Sequence, residues 1–221
     1  MTHLLGFSNL LFQYYHKPNG DAYTPEEITS VITRRGKDVT ILKLPTVVSK
    51  ARAAFGCSTL EGLELEDQGG VGTEGTHWEK MFMYGDFMQG DTGADDWVFS
   101  DISFAVLEDS GWYSVDYSQT DSILWGENAG FSFFTDSCVR NGTASSSYFC
   151  ANTARSCTKT RNAKGVCNLA QQYEELTVKF QYFSDTFLGG DDYFMDYCPI
   201  VSAYGNGDCR GLGFSYYCLY K

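Results

Sequence analysis

The spacing of the cysteines constrains the fold of this chain more than any other feature. Seven of the eight cysteines fall between Cys138 and Cys218, and only Cys57 lies in the first half. Cysteines this dense in a stretch rich in turn residues indicate disulfide bonds and therefore an oxidising compartment. A cytosolic zinc site would instead need Cys-x-x-Cys pairs, and the sequence contains none. We therefore expect a disulfide-bonded protein of the secretory pathway, extracellular or at the cell surface.

The first residues do not resemble a secretion signal. Residues 1–6 have no basic start and no apolar stretch of the necessary length. No run approaches the roughly twenty apolar residues that a membrane span needs. A disulfide-bonded chain without a signal peptide predicts that coding sequence precedes Met1. The sequon Asn141-Gly142-Thr143, a candidate glycosylation site at Asn141, agrees with a secretory protein.

Composition indicates a folded protein that does not bind nucleic acid. The 221 residues are 43% hydrophobic, enough for a buried core in one large domain or two small ones. The formal net charge of -12 argues against nucleic acid as a partner, because phosphate binding favours an excess of lysine and arginine.

Local patterns in the first half predict helices and a hairpin. Two β-rich segments, 31–33 and 39–42, flank Arg34-Arg35-Gly36-Lys37 and predict a β-hairpin. Thr24-Pro25-Glu26-Glu27 resembles a capping box at the start of a short helix. A longer helix is predicted from Pro45 to a stop at Gly56.

The character of the chain changes in its second half. A helix is predicted from Ser100 to a stop at Gly111. After Trp112, cysteines and turn residues alternate with short aromatic segments, of which 177–183 is predicted to be a strand. We therefore predict an α+β fold with two domains, residues 1–115 and a cysteine-rich domain of residues 116–221.

One histidine lies in half of a metal-binding motif. Thr2-His3-Leu4-Leu5-Gly6 matches the second part of His-Glu-x-x-His-x-x-Gly, in which two histidines one helical turn apart face one zinc ion. The first histidine and the glutamate that serves as general base would stand just before Met1. The short-spaced motif has its third histidine where this chain has Asn9, so the residues alone leave His16 and His77 as candidates for the third ligand.

Several segments in order resemble the leishmanolysin family of zinc peptidases. They are residues 51–57, 59–62, 65–66, 68–70, 72–73, 75–80, 107–113, 124–130 and 161–167. The resemblance implies the C-terminal half of a metzincin catalytic unit, from the end of the active-site helix to a Met-turn, followed by a disulfide-rich subdomain. It makes His77 the third zinc ligand beside His3, and Met88 the methionine of the Met-turn, which lies beneath the metal without ligating it.

The resemblance implies a zinc metalloendopeptidase acting on proteins or peptides, with one catalytic Zn²⁺. Zinc would activate a water molecule and the missing glutamate would accept its proton. Because neither that glutamate nor the first histidine belongs to residues 1–221, we expect this polypeptide to be inactive by itself. Cell adhesion and membrane association through a parent protein are further expectations, and no segment of the sequence indicates a substrate preference.

The family pattern also implies disulfides. It pairs Cys138 with Cys198 and Cys150 with Cys167, and more weakly Cys157 with Cys218. Where the family has a cysteine after Trp-Gly-x-Asn-Ala-Gly, this chain has Phe131, so its counterpart Cys57 is expected to be unpaired. Cys209 would then find a partner beyond Lys221.

Two alternatives to a peptidase fragment remain open. A non-catalytic relative could keep the fold as a cell-surface adhesion or binding module, and the loss of a cysteine at Phe131 favours it. Residues 116–221 could instead form a small disulfide-rich binding module by themselves.

Overall fold

The computed structural model describes residues 2–94 and 97–209. These residues form two compact units. The first consists of residues 2–92 and 97–134, and the second consists of residues 93–94 and 135–209. Helices occur together with antiparallel sheets, in agreement with the predicted α+β class. These compact units do not test the predicted domains, residues 1–115 and residues 116–221, which stay a prediction. Within the described ranges, no helix is both long and apolar enough to cross a membrane.

The first unit holds most of the helices. They are α1 (Thr2–Leu5), α2 (Pro25–Ile28), α3 (Pro45–Phe55), α4 (Lys80–Met83), α5 (Asp101–Asp109) and α6 (Ser132–Thr135), which ends at the boundary between the units. Its sheet has the order β1-β2-β3 and consists of β1 (Thr29–Arg34), β2 (Lys37–Leu42) and β3 (Leu63–Glu64).

Local turn and capping chemistry explains why these elements form. The predicted hairpin is confirmed: β1 and β2 pair antiparallel, and the turn residues Arg35 and Gly36 both have positive φ, as a tight hairpin turn requires. The capping box of Thr24 and Glu27 starts α2. The predicted helix α3 is confirmed, and it ends at Gly56 in the left-handed conformation.

A buried carboxylate satisfies the start of α3. Helix α3 has no side-chain N-cap of its own, but Asp109 Oδ2 accepts hydrogen bonds from the backbone N–H groups of Thr46 and Val47 at 2.8 and 3.0 Å. These donors have no partner within the helix. Because Asp109 is the last residue of α5, this contact joins the two longest helices of the unit.

A buried ion pair joins the hairpin to β3. The Glu64 side chain is 0% exposed, and its carboxylate lies 3.1 Å from Arg34 Nη1 and 2.6 Å from Arg35 Nη2. Arg35 also donates to Phe134 O at 2.6 Å. Because a buried charge is stable only when paired, this cluster fixes the register of the hairpin against β3.

The second unit consists of short strands. They are β4 (Val139–Arg140), β5 (Thr143–Ala144), β6 (Arg155–Cys157), β7 (Ala163–Cys167), β8 (Leu169–Gln171), β9 (Leu188–Gly190) and β10 (Val201–Asp208). One sheet has the order β10-β7-β6, and β4 with β5 and β8 with β9 form two-stranded ribbons. The strand predicted at residues 177–183 is wrong. Residues 178–180 form a 3-10 turn. In a strand Val178 would share a face with the buried Leu176 and Phe180, but it is 85% exposed.

Two disulfides tie this unit together. Cys138 pairs with Cys198 and Cys150 pairs with Cys167, with Cα–Cα distances of 5.8 and 5.9 Å, and both pairs are those that the family pattern implies.

The third implied pair, Cys157 with Cys218, is not formed, so this prediction is wrong. This residue is an exposed free thiol at the end of the edge strand β6, where all three residues are exposed. Cys218 lies outside the described residues. Cys209 takes part in a disulfide within residues 1–221, so the expected partner beyond Lys221 is wrong.

Candidate metal centre

His3 lies on α1, which ends abruptly at a glycine. Gly6 has a φ of 148°, which side chains rarely adopt, and its N–H still donates to Thr2 O at 3.1 Å. The buried Tyr15 hydroxyl donates to Gly6 O at 2.9 Å. The chain therefore leaves the helix sharply just after His3, as the motif requires.

His77 lies on an irregular segment held by backbone hydrogen bonds on both sides. The N–H of Glu66 donates to His77 O at 2.9 Å. The N–H of Trp78 donates to Met88 O, also at 2.9 Å. Trp78 is fully buried, so the residue next to His77 is anchored in the core.

The structure brings the two imidazoles together although they are 74 positions apart in the chain. Their Nε2 atoms are 3.2 Å apart, and their ring centroids are 4.6 Å apart with an angle of 76° between the rings. His16 lies elsewhere in the fold: it is exposed, and its N–H donates to Ser110 O at the end of α5.

Backbone carbonyls determine which ring nitrogens face each other. His3 Nδ1 lies 2.7 Å from Phe7 O, and His77 Nδ1 lies 3.2 Å from Thr73 O. A carbonyl oxygen only accepts, so both contacts select the tautomer with hydrogen on Nδ1; His77 Nδ1 also lies 3.1 Å from the Thr76 hydroxyl, which can accept the same hydrogen. In a neutral ring of this tautomer, Nε2 presents a lone pair. Metal-binding histidines typically donate their second N–H in this way.

Electrostatics favours a cation between the two rings. Two lone pairs at 3.2 Å repel each other unless a proton or a metal ion lies between them. Burial lowers the pKa of His77, and the neighbouring His3 lowers it further, while the hydrogen bond to Thr73 opposes the shift. The neutral form that binds metal is therefore favoured at His77.

The distance between the nitrogens fits zinc. In a tetrahedral site with Zn–N bonds of about 2.0–2.1 Å, two ligand nitrogens lie about 3.3 Å apart. The observed 3.2 Å is close to this value. His3 and His77 are thus arranged as two ligands of one zinc ion would be.

The predicted Met-turn residue is hydrogen-bonded to the residue that follows His77. Met88 is 4% exposed, its carbonyl accepts from Trp78, and its N–H donates to Asp86 Oδ1 at 2.7 Å. The structure therefore places Met88 beside the residue that follows His77. Its role as the methionine beneath a metal stays a prediction.

Comparison with known proteins shows the family of this chain. The family model described as Leishmanolysin matches residues 1–213. The chain belongs to the leishmanolysin family. It is 36% identical over 212 residues to Leishmanolysin of Leishmania donovani, covering 95% of this chain and 34% of that protein. It is 34% identical over 253 residues to the Leishmanolysin-like peptidase of Drosophila pseudoobscura pseudoobscura, covering 92% of this chain and 37% of that protein.

A third relative extends the comparison. The chain is 33% identical over 214 residues to the Leishmanolysin homolog of Crithidia fasciculata, covering 95% of this chain and 31% of that protein. The chain thus spans about a third of the length of these relatives. The leishmanolysins are a metallopeptidase family, in agreement with the resemblance read from the sequence.

This leishmanolysin-family chain has an open cleft beside His3. A cavity of about 600 Å³ is lined by His3, Leu65, Glu66 and Gly75, among others. A second cavity of about 440 Å³ shares Leu65 and Gly75 with the first and continues to the apolar side chains of Phe12 and Ile28. Sequence reasoning missed this cleft, because its walls come from segments far apart in the chain.

A buried charged cluster near the cleft was also missed by sequence reasoning. Carboxylate oxygens of Glu66, Asp67 and Glu79 lie within 4.8 Å of one another. Lys37 Nζ lies 2.9 Å from Asp67 and 3.9 Å from Glu79, so an ammonium group already balances part of this charge. We therefore regard the cluster as an internal ion network rather than as a second metal site.

The structure tests the expectation that Cys57 is unpaired. Cys57 is a buried free thiol, as expected, and Phe131 is 44% exposed. The segments that carry them are adjacent, since the N–H of Gly130 donates to Phe55 O at 2.8 Å.

Proposed function

We propose that this chain supplies two of the zinc ligands of a zinc-dependent metalloendopeptidase with a metzincin-type site. The observation that carries the proposal is the 3.2 Å separation of the Nε2 atoms of His3 and His77, with each Nδ1 held by a backbone carbonyl. When bound, zinc would supply an activated water, with a pKa lowered to about 7, and polarise the scissile carbonyl.

In this proposal, residues of this chain orient the two imidazole ligands and form the cavity for the substrate. Phe7 O and Thr73 O hold the rings in the tautomer that binds metal. A cavity of about 600 Å³ opens beside His3 and shares Leu65 and Gly75 with a second cavity, so we place the peptide substrate there. Met88, held beside Trp78, is the proposed Met-turn residue.

Residues 1–221 by themselves should bind zinc weakly and lack peptidase activity. Catalytic zinc sites typically have three protein ligands, and here two histidines meet. Only Met1 and Thr2 precede His3 in this polypeptide, so it contains no His-Glu at the start of the motif. Zinc-dependent peptide hydrolysis by residues 1–221 would contradict this expectation.

A zinc titration of the chain tests the proposed ligands. We expect His3→Ala and His77→Ala each to weaken zinc binding at least tenfold, whereas His16→Ala, the matched control, leaves it unchanged. Competition with a chromophoric chelator measures the affinity. Equal affinity in all four proteins would refute the assignment.

A second candidate function keeps the fold without catalysis, as a cell-surface adhesion or binding module. The free thiol of Cys57 supports it, because the family pattern implies a disulfide at this position. In either case we propose an extracellular or cell-surface location, supported by the disulfides of the second unit. Normal adhesion to cells by a variant that no longer binds zinc would favour this second function.

A further inference from the structure

A chain of buried hydrogen bonds connects Trp78 to the loop that contains Met88. The indole Nε1–H of Trp78 donates to Ser103 Oγ at 2.7 Å. The hydroxyl of Ser103 donates to Asp86 Oδ1, also at 2.7 Å, and the same oxygen accepts from the N–H of Met88. Trp78, Ser103 and Asp86 are each 0% exposed. We call this set the Trp78 relay.

The Trp78 relay touches the surroundings of both histidines. Trp78 follows His77 directly, so the position of its ring constrains the backbone that carries that imidazole. On the other side, the ring of Phe7 meets Trp78 edge to face, with centroids 4.8 Å apart. The carbonyl of Phe7 holds His3 Nδ1 at 2.7 Å. One indole therefore links both imidazoles.

Further hydrogen bonds hold Ser103 and Asp86 in place. Ser103 lies in the first turn of α5, where its N–H is capped by Ser100 Oγ at 3.1 Å. Asp86 is tied through its neighbour Phe87, whose N–H donates to Val98 O at 3.0 Å. Because every member is buried, removal of one partner leaves its neighbour in the relay short of one hydrogen bond, which water cannot replace.

We propose that Ser103 and Asp86 are positioning residues of the metal site, which hold Trp78 so that His3 and His77 keep the separation that a zinc ion requires. Neither residue lies among the ligands, and both act through Trp78. This inference rests on the proposed function for the identity of the metal.

The test compares variants of the relay by two measurements on the metal-loaded chain. Ser103→Ala removes both hydrogen bonds of the hydroxyl, and Asp86→Ala removes the acceptor. We expect each to weaken zinc binding about tenfold and to change the visible absorption of the Co²⁺-substituted protein, because partners that orient ligands have effects of about this size. Asp86→Asn keeps an oxygen acceptor and should retain near-normal affinity.

Controls separate positioning from general loss of stability. Leu60→Ala removes a fully buried side chain that is outside the relay, so it should destabilise the fold without changing the Co²⁺ absorption. If Ser103→Ala does not fold, Trp78→Phe removes the same indole donor. A folded Ser103→Ala or Trp78→Phe with normal zinc affinity and normal absorption overturns the proposal.

A measurement without metal keeps this inference distinct from the proposed function. The imidazole ¹⁵N chemical shifts report which nitrogen of His3 and His77 carries the hydrogen. Altered shifts in Ser103→Ala support the positioning role even if the wild-type chain fails to bind zinc, a result that would refute only the zinc assignment. Unchanged shifts together with unchanged metal binding would refute the positioning role alone.

Discussion

Replacing Asp86 with asparagine should make the stability of this protein less dependent on pH. Asp86 is fully buried, and burial raises the pKa of its carboxyl from 3.8 to about 6, although hydrogen bonds from Ser100, Ser103 and Met88 favour the charged form. Asparagine has nearly the same shape and keeps one oxygen as an acceptor, but it does not titrate.

The sign and size of the effect follow from linkage between proton binding and folding. Because the pKa is higher in the folded state, protonated Asp86 favours folding, and this contribution is complete below about pH 3.8 and lost as the pH rises through about 6. The difference between 3.8 and about 6 corresponds to about 3 kcal/mol. The stability of Asp86→Asn relative to wild type should therefore rise by up to about 3 kcal/mol between pH 4 and pH 7.

Urea unfolding of both proteins across this pH range, in the presence of a chelator, measures the difference directly. The exposed Asp116 is a matched control, because hydrogen bonds from Ser118 lower its pKa and Asp116→Asn should not reproduce the rise. A difference between Asp86→Asn and wild type that stays constant from pH 4 to pH 7 would show that the buried carboxyl is not the source.

Three further predictions concern stability and modification. Phe131→Cys should form a disulfide with Cys57 and stabilise the protein by up to about 4 kcal/mol, given the long loop it closes; non-reducing peptide mapping and urea unfolding test this. Glu64→Gln should destabilise the protein by about 3–5 kcal/mol in urea unfolding, because two buried arginines lose their counter-charge. Asn141, exposed in the turn between β4 and β5, should carry a glycan after expression in a eukaryotic secretory pathway, and Asn141→Gln should abolish the mass added.

Each of these has a control within the chain. The thiol of Cys57 should remain reactive after unfolding in wild type and become unreactive in Phe131→Cys, and a reactive thiol in both would contradict the predicted bond. Glu27→Gln breaks an exposed pair with Lys17 and should change stability little. Thr143→Ala should abolish glycosylation as Asn141→Gln does, and a glycan that persists in either variant would place the modification elsewhere.

Local interactions made parts of the fold predictable from sequence. The hairpin turn at Arg35 and Gly36 and the stop of α3 at Gly56 depend on residues a few positions apart, so their conformations follow from turn and capping preferences. The prediction for segment 177–183 is wrong because its aromatic residues favour a strand, while the exposed Val178 between the buried Leu176 and Phe180 does not fit the alternation of a strand.

The sequence by itself determined membership of the leishmanolysin family, the half-motif at His3 and the two disulfides, since these are patterns of residue identity and order. Only the tertiary structure decided that His3 and His77 meet at 3.2 Å, that Cys157 is free, and that Ser103 and Asp86 support Trp78. The physical reason is that these contacts join segments distant in the chain. Their geometry depends on how the whole core packs, and no local preference encodes it.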